Sequence, residues 1–314
     1  MAISSQQTGW EASVLTKKAL LCFIVGVVFV TLEMDLRAGL GAQQAPQKNY
    51  KREVLRKRES DNGSTWQPEP NTKWQIKLEG KLQDTSVDAP IYDIDLFENT
   101  PAGISELHDR GRKVICYFSA GTYEGWRQDK DKFVEETDLG KELEDWNERW
   151  LNVKSTNVQK IMQARLDLAQ EKGCDGVDPD NIDGFDNDNG LGLTLDDAVA
   201  YVKFLASEAS ARGMSIGLKN GAQLVDSVIE DVQWSVNEQC AQFKECGDFA
   251  AFIEAGKPVF HIEYPKGDDP DDDSQNTAED VSEQQKTNSC TARSSGKFST
   301  VIKNARLDDF VQYC

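Results

Sequence analysis

Histidine is almost absent from this 314-residue chain, which holds only His108 and His261. With His108 set in a helical pattern, a Ser-His-Asp relay has little to draw on. A metal-dependent deacetylase, which relies on imidazole ligands, is equally short of donors. The seven cysteines contain no C-x-x-C pair, so a zinc ribbon finds no support. No G-x-G-x-x-G turn follows the first strand candidate, and an open dinucleotide-binding sheet loses its signature. Positive charge is also short: 35 Lys and Arg face 54 Asp and Glu, a formal net charge of −19. Up to Lys73 basic residues outnumber acidic ones ten to seven, so the remainder carries −22. A region this acidic repels nucleic acid; its charge would steer a cationic ligand toward it, or would serve only to keep an exported protein soluble.

Long apolar runs are scarce as well. The clearest, Ala19 to Leu32, follows Lys17-Lys18 and precedes Glu33, Asp35 and Arg37. It is short for a spanning helix, which needs ~17–25 residues, and it suits a targeting segment. Residues 1–18 read as a cytoplasmic or signal n-region, and Ala19–Leu36 as a signal-anchor or a signal-peptide core. The preceding lysines favour a cytoplasmic N-terminus, while small residues around Ala38–Ala42 would permit cleavage. Either way the rest of the chain is expected outside, tethered to the cell membrane as a single-pass type II protein or secreted. Residues 37–73, rich in Gln, Pro, Lys, Arg and Ser, read as a disordered stalk, with an N-glycosylation sequon at Asn62-Gly63-Ser64. Outside the cell disulfides are permitted. Cys240 with Cys246 would close a short loop and Cys290 with Cys314 would pin the C-terminus, whereas Cys116, inside an apolar strand, reads as a free buried thiol. Spacing leaves the pairing open.

From Trp74 onward short β-branched runs alternate with amphipathic stretches, the pattern of repeated βα units. Eight strands are expected: Ile91–Phe97, Lys113–Phe118, Trp150–Val153, Gly176–Asp178, Ser215–Leu218, Val232–Val236, Pro258–Glu263 and Phe298–Lys303. Helical periodicity fills Ser155–Lys172 and Thr194–Arg212, with Gly173 and Gly213 as C-terminal caps. Residues 74–314 are therefore expected to form one α/β domain, an eight-stranded (β/α)8 TIM barrel. The acidic stretch Gly267–Asn288 reads as a solvated insertion.

Such a barrel gathers its chemistry at the C-terminal strand ends. That rule selects Asp93 and Asp95, the loop Ser119–Trp126 carrying Tyr123 and Trp126, then Asp178, Asp180 and Asn181. It also selects Lys219, Asn220, Asn237, Glu238, Glu263 and Tyr264. Carboxylates dominate, and paired carboxylates are what glycoside hydrolysis requires. The Gly173–Asp183 segment offers several such carboxylates, Asp180 among them, and Glu238 offers another at the end of the apolar run Val232–Val236.

Several ordered segments carry a resemblance. Val114-Ile115-Cys116-Tyr117-Phe118-Ser119-Ala120-Gly121, Tyr123 with Trp126-Arg127, Arg165-Leu166-Asp167-Leu168-Ala169, Gly173 to Asp183, Gly217-Leu218-Lys219-Asn220 and Asn237-Glu238-Gln239-Cys240 together resemble glycoside hydrolase family 114. Those enzymes are endo-α-1,4-polygalactosaminidases with a TIM-barrel fold. The resemblance implies a retaining endo-hydrolase of α-1,4-linked, de-N-acetylated galactosamine, with Asp180 as nucleophile and Glu238 as acid/base. No metal or organic cofactor is implied, and a monomer is expected.

The remaining candidates take supporting roles. Asn181, Lys219 and Asn220 would stabilise ionised Asp180 by hydrogen bonds and charge. A galactosamine polymer is cationic, so Asp93, Asp95, Asp178 and Asp183 are candidates to bind its ammonium groups. Asp93-x-Asp95 would equally serve as a network holding Lys219. Tyr123 and Trp126 would stack on sugar faces. Two other readings compete: the same machinery on another α-linked amino sugar, and a surface lectin that keeps the barrel without turnover.

Overall fold

The computed structural model describes residues 65–143, 146–265, 277 and 279–314, all within one compact unit. The Ala19–Leu36 segment, Asn62 and most of the expected stalk lie outside the described residues. Among the described residues no helix is long and apolar enough to cross a membrane. The strands in chain order are β1 (Trp74–Lys77), β2 (Ile91–Asp95), β3 (Lys113–Ser119), β4 (Thr122–Glu124), β5 (Leu139–Leu143), β6 (Glu148–Leu151), β7 (Gly176–Asp180), β8 (Ser215–Lys219), β9 (Trp234–Glu238), β10 (Val259–Glu263), β11 (Ser299–Ile302) and β12 (Gln312–Tyr313). One sheet runs β1-β2-β3-β7-β8-β9-β10-β11-β12, parallel except for β12. It curls until β1 approaches β11. The Trp74 indole donates to the Ser299 carbonyl at 2.7 Å, and Lys303 Nζ donates to Gln75 Oε1 at 3.1 Å. Among the described residues no backbone ladder joins these two strands.

Seven of the eight expected strands lie in this sheet, and one does not. Trp150–Val153 overlaps β6, which pairs antiparallel with β4 and β5 in a separate three-stranded sheet. A parallel neighbour needs a crossover of a dozen or more residues, usually helical. Only short helical turns, Lys130–Lys132 and Glu135–Asp138, stand between β3 and β6, so the chain folds back on itself there. The eighth parallel place in the sheet is taken by β1 instead. Residues 65–73, expected in the stalk, are also packed: Trp66 meets Trp234 at 5.6 Å, and Gln67 Nε2 donates to the Gln233 carbonyl at 2.6 Å.

Alternation along each strand decides what faces inward. The inner core holds Trp74, Ile76, Ile91, Ile115, Trp234, Val236, Phe260, Ile262 and Val301, every one buried. The other parity (Ile94, Val114, Cys116, Phe118, Val177, Ile216, Leu218) packs under the helices. The two long helices, Thr156–Lys172 and Leu195–Ala211, start where Ser155 and Thr194 accept from backbone N–H groups, as their sequences predict. The Trp234 ring crowds β7 and β8, which is why these two neighbouring strands carry glycine. A Cβ on Gly217 would stand 2.1 Å from Trp234 Nε1, and one on Gly176 2.5 Å from its ring.

Cys240–Cys246 and Cys290–Cys314 are disulfides, and so is Cys116–Cys174. The free-thiol reading of Cys116 is therefore corrected: its outward parity brings it beside the turn that follows helix Thr156–Lys172. The acidic insertion is only partly solvated loop. Residues 266–276 lie outside the described residues, but Glu283–Cys290 is a helix capped by Ser282 and tied to the C-terminus through Cys290.

Replacing Gly217 by alanine should destabilise the domain by about 1–3 kcal/mol through overpacking against the indole. Adding Trp234→Phe should recover part of that loss. Urea unfolding of the single and double variants checks this; an unchanged G217A midpoint would contradict the packing argument.

Candidate active site

Inward parity on β7, β8 and β9 sets Asp180, Lys219 and Glu238 side by side at the mouth of the curled sheet. Lys219 Nζ lies 3.1 Å from Asp180 Oδ2 and 3.4 Å from Glu238 Oε2. One buried ammonium thus serves two carboxylates. Each acid has further donors. Asp180 accepts from Tyr117 OH at 3.0 Å and from the Asn181 N–H at 2.7 Å. Glu238 accepts from Tyr264 OH at 2.6 Å and from Asn220 Nδ2 at 3.1 Å, and Asn220 Oδ1 takes the Glu238 N–H in return.

The residue after each of these strands has left-handed backbone: Asn181 at φ 60°, Asn220 at φ 49° and Gln239 at φ 65°. For an L-residue that conformation costs roughly 1–2 kcal/mol, least for asparagine. It turns the chain sharply, so the side chain at each strand end stays on the inner face. The Asn181 turn is crowded from below: a Cβ on Gly121 would sit 1.6 Å from the Asn181 carbonyl oxygen.

Burial opposes ionisation of Glu238, but Lys219, Tyr264 and Asn220 outweigh it and hold the carboxyl below its usual range. Burial likewise opposes the charge on Lys219, and Asp180, Glu238 and Asp178 reverse this, pushing it well above an ordinary lysine. Tyr117 and Tyr264 are raised by burial and by the acids they serve, so both remain donors.

Asp93 and Asp178 lie beneath this floor. Both are fully buried, and none of their four oxygens has a donor if both are written as carboxylates. A single proton between them resolves this: Asp93, raised far above the usual range by burial and by Asp178, donates to Asp178. Burial in turn lifts Asp178 to about 7, with Lys219 pulling the other way. As candidates to bind a sugar ammonium they are corrected, since neither presents an oxygen to the cleft. They form the network beneath Lys219 instead. Asp95 reaches the cleft wall but is bound by Arg127 at 2.7 Å, which also holds Glu124 at 2.7 Å.

Parity turns Asn237 and Glu263 away from the inner face, which corrects Glu263 as a cleft residue. Asn237 Oδ1 accepts from the Cys240 N–H, while Glu263 accepts from the Ala241 N–H and pairs with His261 at 2.8 Å. Both serve the turn after β9 rather than the inner face, although Asn237 touches the cleft edge. Asp183 stays on the cleft wall, its carboxyl raised to about 6 by burial and by Asp180. Trp126 is 54 % exposed there, whereas Tyr123 stands edge-on to Phe133 and away from the wall.

The cleft contains residues that strand-end reasoning passed over. Tyr117 shares parity with Ile115 and Ser119 and was findable from alternation. Glu148, which Thr122 Oγ1 bonds and burial raises to about 7, and Trp146, 63 % exposed, come from the antiparallel excursion, where no periodicity marks them. Cys240, Cys246 and His261 cluster tightly enough to suggest a metal centre, but the two sulfurs are joined to each other and offer no thiolate.

The buried acid pair makes stability pH-dependent. Asp178 holds its proton more tightly folded, to about 7, than an ordinary carboxyl near 3.8. Its contribution is complete below the lower value and lost as pH rises through the upper one. Thermal unfolding should therefore occur at a higher temperature at about pH 5 than at about pH 8. In Asp178→Asn the difference should shrink; an equal difference in variant and parent would exclude the pair as its source.

Residues 56–314 match the glycoside-hydrolase family GH114. Among solved structures, the crystal structure of Aspergillus fumigatus Ega3 in complex with galactosamine is similar at 58 % identity and a TM-score of 0.75, over 80 % of this chain and 98 % of that one. The glycoside hydrolase domain of PelA from Pseudomonas aeruginosa shares the fold at 13 % identity and a TM-score of 0.56, over 78 % and 98 %. No match was found among curated proteins. The twin carboxylates at the sheet mouth thus stand in a glycoside hydrolase, and the chain belongs to glycoside-hydrolase family GH114.

Proposed function

We propose that this enzyme is a retaining endo-hydrolase of α-1,4-linked galactosamine polymers of the galactosaminogalactan type, with Asp180 as nucleophile and Glu238 as acid/base. The observation that carries the reading is the shared contact of both acids with Lys219. Their oxygens lie no farther apart than the two contacts laid end to end, about 6.5 Å, where retaining enzymes need ~5–5.5 Å and inverting ones ~6.5–9.5 Å. Charge supports the substrate class. The cleft beside Asp180 is lined by eight carboxylates and only three cations, Arg127, Lys219 and Arg306, so a polycation is attracted where a neutral glycan is not. The galactosamine bound to Ega3, at 58 % identity, supports the same class.

In this scheme Asp180 attacks the anomeric carbon as Glu238 gives its proton to the departing oxygen. Water then cleaves the glycosyl ester after losing a proton to Glu238. Burial is the strongest influence raising Glu238, so a sugar that displaces water pushes it toward the protonated form the first step requires. Once Asp180 is an ester its charge is gone. Lys219 then faces Glu238 alone and favours the carboxylate, the form that accepts the proton in the second step. The curled sheet acts as a TIM-type barrel. The same reading puts the enzyme outside the cell, tethered through or released from Ala19–Leu36, and working as a monomer.

Incubation with de-N-acetylated galactosamine polymer should release oligomers as α-anomers. Asp180→Ala and Glu238→Ala should each slow cleavage by at least about 10²-fold. Azide should rescue them with opposite stereochemistry, giving the β-glycosyl azide from D180A and the α-azide from E238A. Initial β-anomers from the parent would exclude retention. Binding without any shortening of the polymer would favour a lectin.

A further inference from the structure

The cleft consists of two cavities that meet at Glu238. The first, about 850 Å³, contains Asp180 and is bounded by Trp126, Glu124 and Glu148. The second, about 560 Å³, lacks Asp180 and is bounded by Phe243, Glu245, Asp186 and Gln223. Glu238, Asn220, Asp183, Tyr264 and Trp146 line both. A double displacement gives such a cleft a direction, because the nucleophile must lie under the sugar that is attacked and the acid beside the oxygen that departs.

Resting on the proposed roles of Asp180 and Glu238, we infer that the second cavity is the leaving-group side of the cleft, with Phe243 as a platform for the departing sugar and Glu245 as the partner of its ammonium. Phe243 is 56 % exposed and lines this cavity, so its ring is open to a ligand. Galactose-configured rings present an apolar face that suits stacking on an aromatic side chain. The platform is also rigidly placed. It ends the short helix Cys240–Phe243, which begins directly after Glu238 and Gln239, and the Cys240–Cys246 disulfide closes the loop around it. Lys244 and Gln239 flank that helix in left-handed backbone, so the loop is a fixed hook on the acid/base strand. Its distance from Glu238 is therefore set by covalent structure.

Glu245 supplies the charge. Among the described residues no hydrogen bond or ion pair engages its carboxylate, whereas Asp186 on the same wall is held by Gln223 Nε2 at 3.0 Å. Burial and the negative neighbours Asp248 and Glu263 raise its carboxyl above the ordinary range, and an arriving ammonium would reverse this. The geometry thus assigns opposite ends of the polymer to opposite walls: the attacked sugar toward Trp126 and Glu148, the departing chain toward Phe243 and Glu245.

The test separates the two sides by leaving group. The parent, Phe243→Ala, Glu245→Gln and Trp126→Ala are assayed on galactosamine polymer and on the α-fluoride of a galactosamine trimer, whose departing fluoride occupies no sugar site. F243A and E245Q should lose at least about tenfold in kcat/KM on the polymer while staying within about twofold of the parent on the fluoride. Trp126→Ala should lose on both. Phe243→Tyr should restore polymer cleavage, which distinguishes stacking from a general loss of folding. Equal losses by F243A on both substrates, or a polymer-specific loss by W126A alone, would reverse or overturn the assignment. Polymer cleavage by F243A and E245Q at the parent rate would also overturn it while leaving the proposed function intact. Failure of the parent to cleave either substrate would instead sink the function on which the inference rests.

Discussion

Two carboxylates this close at the end of a buried sheet repel each other, and the Lys219 ammonium between Asp180 and Glu238 is what makes their joint ionisation tolerable. The rest of the site is arranged around that cation. Tyr117, Tyr264, Asn181 and Asn220 supply the donors that one ammonium cannot, and the proton held between Asp93 and Asp178 limits the negative charge beneath it. Without Lys219 only Tyr264 and Asn220 would oppose the burial that favours the neutral form of Glu238. The electrostatics are those of a small ionic cluster in which every member needs the others.

That cluster rests on packing. Trp234 fills the interior below Glu238, and Gly176 and Gly217 give it room on the strands that carry Asp180 and Lys219. Three adjacent strands thus share one steric solution at their base and one electrostatic solution at their top. The left-handed turns at Asn181, Asn220 and Gln239 are the local strain this entails, located where the chain must leave the sheet without moving the side chains that end it.

Much of this was legible in the amino-acid sequence. The βα alternation and the carboxylates at strand ends came from patterns of apolar and charged residues, whereas the choice of Asp180 with Glu238 came from the family resemblance. What misled was the use of strand ends without strand parity. Asn237 and Glu263 end strands but carry the outward phase, whereas Tyr117 carries the inward phase and escaped notice. Asp93 and Asp178 have the correct phase but sit one layer too deep, a distinction of depth that alternation does not encode. Trp150–Val153 reads as a strand because it is one. Its membership in the wrong sheet depends on the missing crossover helix, and the small β1 was hidden by the polar segment before it. Trp146 sits in a turn, Glu148 opens the short β6 and Phe243 ends a four-residue helix, pieces too short for a period to betray them.

The far edge of the main sheet has a further consequence. A parallel sheet ending at β11 would expose a row of unpaired backbone groups, an invitation to strand exchange with another molecule. β12 runs back antiparallel along that edge, its Tyr313 hydroxyl reaches the Trp74 carbonyl, and Cys314 is fastened to Cys290. The last residues of the chain therefore serve as a latch over the open side, denying a template for intermolecular β-addition to a protein whose charge otherwise does the work of keeping copies apart.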